Sequence, residues 1–358
     1  MSFRPFLHRR FKLDGKSFAN PKQLTDYVRT RYPEHEEFLC RWFDDSTHVR
    51  LHTSGSTGPA KVMEFPKKKL MLSALRTIRF FALPPGSSVL LNLSPVYVAG
   101  KMMWVRALTG GWNLRITDAG APVPDTFFDF GAMVPRQAEK NRRALHRFKK
   151  LLLGGGPTGS PLESFLKTLP SAVFLTYGMT ETLTHVAVMP LNGQAARCMR
   201  AEPGWFHALP AVRFRTDAEN CLRISDAWLD LETAAQDKVW LRDSRTFKWK
   251  GRCDNIINTG GIKVSPEEIE KKLAPFISRR FVITSLPDPS WGEKIILIIE
   301  GEPPCIEAKI FDDAGLAFFE KPKEMYRIDS LPETPSGKIR RHAIDFGKLI
   351  PCSEIFRN

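Results

Sequence analysis

The sequence predicts a layered α/β fold, followed by a β-rich stretch and a small α+β region. Three observations carry this prediction. From Leu51 onward, apolar strand-like runs alternate with segments of helical spacing, the arrangement that lays helices over a sheet. Two of those runs, 151–153 and 173–177, end directly in glycine, as strands do when they feed a functional turn. Between 205 and 250 the helical spacing gives way to short strand-like runs separated by turns.

Taken in order, residues 1–50 alternate short apolar stretches with charge, and 38–43 reads as a strand or a helix end. Apolar spacing over 70–81 predicts an amphipathic helix, and 88–93 predicts a buried strand leading to a loop. The strand-like runs of the β-rich stretch are 212–215, 222–224, 239–241 and 247–249. Past Gly251 the pattern is mixed. Ser265 at the N-cap, Pro266 at N1, and Glu267 and Glu268 in the first turn form a helix start. Residues 295–299 form a buried strand. These features place a boundary at 250–254. They predict a large N-terminal domain, 1–250, with a β-rich subdomain at 205–250, and a small C-terminal domain, 251–358.

A chain of 358 residues can build two or three packed units. Its 42% hydrophobic and 26% charged residues are an ordinary globular balance. No apolar run reaches the ~18 residues of a membrane span, and the basic N-terminus lacks the apolar core of a secretory signal. Six scattered cysteines without a Cys-x-x-Cys pair predict free thiols in a reducing cytoplasm and argue against a structural zinc site. The net charge of +14 suits nucleic acid, but equally phosphorylated cofactors and an acidic substrate. The basic clusters at 67–69 and 140–143 have helical spacing and read as solvated helix faces. No nucleic-acid-binding signature accompanies them, so nucleic acid is set aside.

Four motifs carry the chemistry. Residues 53–61, Thr-Ser-Gly-Ser-Thr-Gly-Pro-Ala-Lys, combine hydroxyls with glycines that can turn backbone N–H groups toward phosphate oxygens. They are not a Walker loop, because Gly58 and Lys61 do not form Gly-Lys-Ser/Thr. Residues 177–181, Tyr-Gly-Met-Thr-Glu, end a strand, the usual ligand position in an open α/β sheet. Gly-Arg-Cys-Asp at 251–254 leads to Gly260 and Gly261, and Pro-Ser-Gly-Lys-Ile-Arg occupies 335–340. A glycine run, 154–156 with Pro157, lies between the first two.

Together, in this order, the motifs resemble the adenylate-forming superfamily of acyl-CoA ligases, adenylation domains and luciferases, over about 51–341. The resemblance implies an enzyme that activates a carboxylic acid with ATP and Mg²⁺ and passes the acyl group to a thiol such as CoA. It implies that Thr53, Ser54, Gly55, Ser56, Thr57, Gly58 and Lys61 grip the ATP phosphates. Gly154, Gly155, Gly156 and Pro157 would border adenine. Tyr177, Gly178 and Met179 would line the nucleotide, with Tyr177 stacked on the base. Thr180 would contact phosphate and Glu181 would hold Mg²⁺. Asp237, fourteen positions before Gly251, would accept the ribose hydroxyls ahead of Asp230 and Asp243 at worse spacing, although Ala235 and Gln236 stand where the family has Thr-Gly. Arg252 would lie near ribose and phosphate. Asp254 would be the hinge about which a mobile C-terminal domain swings, with Gly260 and Gly261 forming the thiolation loop. Lys338 would be the catalytic lysine of adenylation.

Two features narrow the resemblance. The phosphate loop starts at 53, after a shorter front segment than is typical of the family, as in some short o-succinylbenzoate–CoA ligases of menaquinone biosynthesis. Residues 96–106, 178–185 and 254–267 also resemble those enzymes. An acid with two carboxylates needs a cation or strong donors for the one not activated. Tyr97, Lys101, Arg106, Thr184 and His185 are the candidates. Adenylation of another acid, transfer to a carrier-protein thiol, and a non-catalytic nucleotide-binding relative are the alternatives.

Overall fold

The computed structural model of the protein describes residues 5–52, 62–156, 158–302, 306–334 and 337–352. The chain divides into two compact units. The first comprises Met1–Phe214, Ile224–Thr233 and Asp243–Thr246; the second comprises Arg215–Arg223, Ala234–Arg242 and Phe247–Asn358.

The first unit is built on a mixed sheet. Its strands run in the order Lys12–Leu13, Asn113–Ile116, Ser88–Leu91, Phe128–Met133, Phe148–Leu153, Ala172–Met179, Thr184–Pro190 and Phe206–Ala208. The first six are parallel, and the last two pair antiparallel. The inner strands are apolar on both faces: Val89, Leu90, Leu91, Leu151, Leu152 and Leu153 are all buried, as parallel strands covered on both sides require. Leu90, Phe148, Leu151 and Leu153 share one core cluster with Leu162 and Leu166 of the helix Ser160–Lys167.

Helix Lys67–Phe80 begins three residues before the predicted one and packs against helix Val98–Gly110. The latter is buried almost all round, which is why its apolar residues show little one-sided spacing. A Cβ on Gly100 would stand 2.2 Å from the Ser94 carbonyl oxygen, so only glycine permits this approach. The segment 38–43 is the end of a helix, Glu36–Phe43, rather than a strand.

The solvated-face expectation fails for Lys67, which is fully buried. Its Nζ donates to the Asp44 carboxylate at 2.7 Å and to the Asp44 carbonyl at 3.0 Å. Asp44 is the C-cap of helix Glu36–Phe43, where an ammonium suits the unpaired carbonyls and the helix dipole.

The second unit holds a sheet in the order Ile262–Val264, Ile257–Thr259, Gly292–Glu300, Glu324–Ile328 and Ile350–Pro351, with Phe281–Asp288 also paired to Gly292–Glu300. Helix Pro266–Leu273 seats Ile269 and Leu273 against Ile283, Ile295 and Leu297. Four further strands, Val212–Thr216, Cys221–Asp226, Leu231–Asp243 and Thr246–Arg252, form the β-rich stretch, and the division between units runs through them. Within the second unit Cys221 and Cys253 form a disulfide, their Cα atoms 6.4 Å apart. The expectation of free thiols throughout is therefore corrected: the return of the chain brings together two cysteines 32 residues apart. Cys40, Cys198 and Cys352 are free, and Cys305 lies outside the described residues. Among the described residues no helix is long and apolar enough to cross a membrane.

His35, 3% exposed, accepts a 2.9 Å hydrogen bond at Nδ1 from Trp104 Nε1. The bond fixes Trp104 on the Val98–Gly110 helix. Burial holds the imidazole down at about 4, against an ordinary 6.5, although Glu34 opposes the shift. A depressed histidine leaves stability intact above pH 6.5 and costs it as pH falls toward 4. Between pH 7 and pH 5, His35→Gln should therefore lose about 2 kcal/mol less unfolding free energy than the wild type. Urea titration at both pH values measures this, and parallel losses would show that His35 does not titrate on unfolding.

Candidate active site

Two predicted turns meet at the carboxyl ends of neighbouring parallel strands. Phe148–Leu153 ends in Gly154, and its partner Ala172–Met179 ends in the Tyr-Gly-Met-Thr-Glu segment. Thr176 Oγ1 ties them by donating to the Leu153 carbonyl at 3.0 Å. A Cβ on Gly154 would lie 2.5 Å from that Oγ1. Gly155 is left-handed at φ +85°, Gly156 has open space around it, and Pro157 lies outside the described residues.

At Gly178 the pairing with Thr184–Pro190 shifts register, and a Cβ there would stand 2.0 Å from the Thr184 carbonyl oxygen. The bulge turns the chain into a short 3₁₀ segment, Thr180–Thr182. Tyr177 packs its ring edge against Phe206, centroids 5.7 Å apart. Glu181 forms no ion pair with any described residue, which leaves its carboxylate available to a cation. Leu183 and Thr184 follow with φ +53° and +91°. Positive φ at a β-branched residue costs about 1–3 kcal/mol, and such strain clusters at functional sites. Here it delivers the Thr184 hydroxyl and the His185 ring toward Arg106.

Arg106 is 3% exposed, and its guanidinium touches no carboxylate among the described residues. Nη2 donates to Thr184 Oγ1 at 2.8 Å and points at His185 Nδ1 at 3.4 Å. Nε donates to Thr77 Oγ1 at 3.3 Å, and Nη1 lies 3.8 Å from Met103 Sδ. A guanidinium only donates, so His185 Nδ1 accepts. Its Nε2–H then donates to Thr77 Oγ1 at 3.2 Å, and Thr77 donates onward to the Ser73 carbonyl. Burial, with the nearby Arg106 and Arg76 charges, holds His185 well below its ordinary value, so the ring is neutral. Burial, then the Arg76 charge, pushes Arg106 down to about 9, still cationic at neutral pH. Arg76 is itself paired with buried Asp226. Among the described residues, two guanidiniums thus share this interior with one carboxylate.

Tyr97 is the N-cap residue of the Val98–Gly110 helix and Lys101 lies in its first turn. The structure does not bring Lys101 into contact with the Arg106 group. Burial lowers Lys101, and the charge it faces is Glu37.

The second unit gathers another set. Trp249 Nε1 donates to Asp237 Oδ1 at 3.0 Å. Arg252 grips Asp254 through both oxygens, at 2.7 and 2.6 Å. Burial raises the Asp254 carboxyl, but the Arg252 hydrogen bond and charge hold it below its ordinary value. Lys338 lies within reach of these charges. Burial, then Arg252, lowers its ammonium, and Asp237, Asp254 and Glu267 oppose. Gly260 and Gly261 are both left-handed, and Gly260 donates its N–H to the Trp291 carbonyl at 2.7 Å. Thr53, Ser54, Gly55, Ser56, Thr57, Gly58 and Lys61 lie outside the described residues, between strands His48–His52 and Val62–Pro66.

Thr77, Arg76, Asp226, Trp249 and Glu267 are site neighbours that sequence reasoning missed. Only Glu267 carried a signal, as an acidic residue in the first turn of a well-marked helix.

No protein-family model matches the chain. An acyl-CoA synthetase (AMP-forming)/AMP-acid ligase II-like protein from Dyadobacter fermentans DSM 18053 is 31% identical in sequence. The match covers 90% of this chain and 97% of that one, with a TM-score of 0.59. The 2-succinylbenzoate–CoA ligase of Geobacillus sp. (strain WCH70) is 26% identical over 90% of this chain and 73% of its own length. O-succinylbenzoate coenzyme A synthetase from Bacillus subtilis, solved with ATP and magnesium ion, shares the fold. Its TM-score is 0.70 at 17% identity, over 84% of this chain and 70% of that one.

The Arg106 geometry generates a stability prediction. Arg106→Met should raise the unfolding free energy by about 1–2 kcal/mol, because an apolar side chain replaces a buried charge that no carboxylate offsets. A higher urea midpoint is expected. A lower one would mean that the guanidinium's hydrogen bonds outweigh its desolvation.

Proposed function

The chain belongs to the family of AMP-forming acyl-CoA synthetases and acid ligases, and from that premise we propose that it joins o-succinylbenzoate to coenzyme A in menaquinone biosynthesis. One carboxylate of the acid attacks the α-phosphate of ATP and pyrophosphate leaves. The thiol of coenzyme A then attacks the acyl carbonyl and AMP leaves. Both half-reactions depend on positioning and charge stabilisation rather than on an acyl-enzyme.

The observation that carries the choice of acid is the buried Arg106 guanidinium, which meets no carboxylate among the described residues. A second carboxylate on the substrate would supply the missing anion through a charge-assisted pair. Thr184 and neutral His185 hold the guanidinium's orientation, and the naming of the Geobacillus relative agrees with this acid. Tyr97 and Lys101 would border the acid from the start of the same helix.

Tyr177 would face the adenine, with 154–157 beside it, and Asp237 would accept the ribose hydroxyls. Residues 53–58 and Lys61 would take the terminal phosphates. Mg²⁺, when bound, neutralises phosphate charge. Glu181, a carboxylate with no ion pair among the described residues, fits a cation that would keep most of its ligands from phosphate and water. Among the described residues no group of three or more His, Cys, Asp or Glu could hold a metal unaided. Lys338 would place its ammonium between the attacking carboxylate and the α-phosphate, near Arg252. Asp254 would be the hinge of a mobile C-terminal domain, 251–358, that brings Gly260 and Gly261 to the thiol. The reaction belongs in the cytoplasm, by its substrates rather than by the cysteines.

Two measurements test this. Arg106→Met should lower kcat/KM for o-succinylbenzoate by about 100-fold while leaving KM for ATP within threefold. Unchanged acid kinetics would remove Arg106 from the acid site. Lys338→Ala should reduce acyl-adenylate formation by at least about 100-fold and spare thioester formation from supplied adenylate. Equal loss in both half-reactions would contradict the assigned role.

A further inference from the structure

Lys338 sits on a loop whose base is closed by its own backbone. Thr334 N–H donates to the Lys338 carbonyl at 2.8 Å, Arg340 N–H donates to the Pro332 carbonyl at 2.7 Å, and Lys338 N–H donates to Thr334 Oγ1 at 3.1 Å. Those bonds shape the loop but do not attach it to anything else. Before the lysine, Glu333 accepts from Arg280 Nη2 at 3.0 Å, and just after it Ile339 packs on a core cluster with Val282 and Ile298. The most buried polar attachment comes three residues after the lysine. Arg341, its side chain 12% exposed, donates from Nε to the Ile283 carbonyl at 3.0 Å and from Nη2 to Glu270 Oε1 at 2.5 Å. Its Nη1 lies 3.8 Å from Glu267 Oε1. The guanidinium thereby binds a strand, Phe281–Asp288, and a helix, Pro266–Leu273, at once.

Glu267, 10% exposed, is the other half of this junction. Its Oε1 accepts from Asn255 Nδ2 at 2.5 Å, on the turn that carries Asp254. Its Oε2 accepts from Ser265 Oγ at 3.1 Å. Ser265 does not cap its helix with that hydroxyl, which also donates to the Lys250 carbonyl at 2.8 Å. The packing is close enough that a Cβ on Gly251 would stand 2.6 Å from Glu267 Oε2. The Glu267 charge also faces Lys338. One carboxylate therefore touches the turn at 253–255 and the helix start, and faces both the guanidinium that anchors the lysine loop and the lysine itself.

We propose that Glu267 and Arg341 are positioning residues for the adenylation half-reaction, holding the Lys338 loop in register with the turn at 253–255. The inference rests on the ligase reading above, since it acts through Lys338. Neither side chain meets substrate; both fix where the ammonium stands. A misplacement of about 1 Å can cost on the order of 100-fold in rate. The thiol-transfer step, which does not use Lys338, is insensitive to the anchor.

The test uses the full chain with Arg341→Met, Arg341→Lys and Glu267→Gln. ATP–pyrophosphate exchange driven by o-succinylbenzoate reads adenylation, and thioester formation from supplied o-succinylbenzoyl adenylate and coenzyme A reads transfer. Arg341→Met should slow exchange by about 30- to 100-fold through kcat, with KM for ATP within threefold and transfer within threefold. Arg341→Lys should recover at least about a third of the exchange rate, because the cation is restored without its fork. Glu267→Gln, close in shape but uncharged, should slow exchange by about 5- to 10-fold, and it decides the matter alone if Arg341→Met does not fold. Equal loss in both half-reactions, or no loss of exchange, would overturn the proposal while leaving the ligase reading in place. A wild type inactive in both assays would overturn the two together.

Discussion

Two buried guanidiniums, with one carboxylate for the pair among the described residues, set the terms for the large unit. Arg76 takes Asp226, and Arg106 is left with hydroxyls, a thioether and a neutral imidazole. A buried charge without an opposite partner is costly, so the surrounding structure must hold it in place. Much of the local architecture serves that end. The Gly178 bulge and the left-handed Leu183 and Thr184 bring Thr184 and His185 to the guanidinium. Helix Val98–Gly110 is packed on nearly every side, with Trp104 fixed by His35 two residues before the arginine. On the proposed reading, these elements hold the guanidinium ready for an anion that no described residue provides.

The second unit solves a different problem. Asp237, Arg252, Asp254, Glu267 and Lys338 form a dense group of charges of both signs. Arg252 is satisfied by Asp254 through two hydrogen bonds. Lys338, desolvated and facing Arg252, is held by weaker attractions from three carboxylates. Burial and the Arg252 charge lower this ammonium, and on the proposed reading negative charge developing beside it would favour it. Its placement then rests on the backbone of its own loop, on the Arg280–Glu333 pair and on the Arg341 anchor.

What was legible in the sequence follows from local pattern. The strand running into Tyr177 and Gly178 could be read because apolar runs, glycine and motif lie within a dozen residues. The helix start at Ser265 and Pro266 was equally local, although the Ser265 hydroxyl turned out to serve Lys250 and Glu267 instead of capping. Asp237 was found by spacing, but its Trp249 partner depends on the course of the β-rich strands. Contacts across long separations were not legible. Arg76 and Asp226 are 150 residues apart, and Lys67 was misread as surface because its partner, a helix C-cap, lies 23 residues upstream. The Cys221–Cys253 pairing was hidden for the same reason. Charge type could be read from sequence; charge burial, which decides what Arg106 and Lys67 do, could not.

The central claim is that this ligase selects an acid by a carboxylate distant from the one it activates. The most direct measurement offers the protein ATP, Mg²⁺ and coenzyme A with o-succinylbenzoate or with its analogue bearing a neutral amide in place of the remote carboxylate. Thioester is then quantified by mass spectrometry. The account predicts thioester from o-succinylbenzoate and at least about 100-fold less from the amide at equal concentration, the penalty of leaving a buried cation unpaired. Equal yields from both acids, or thioester from neither, would contradict it.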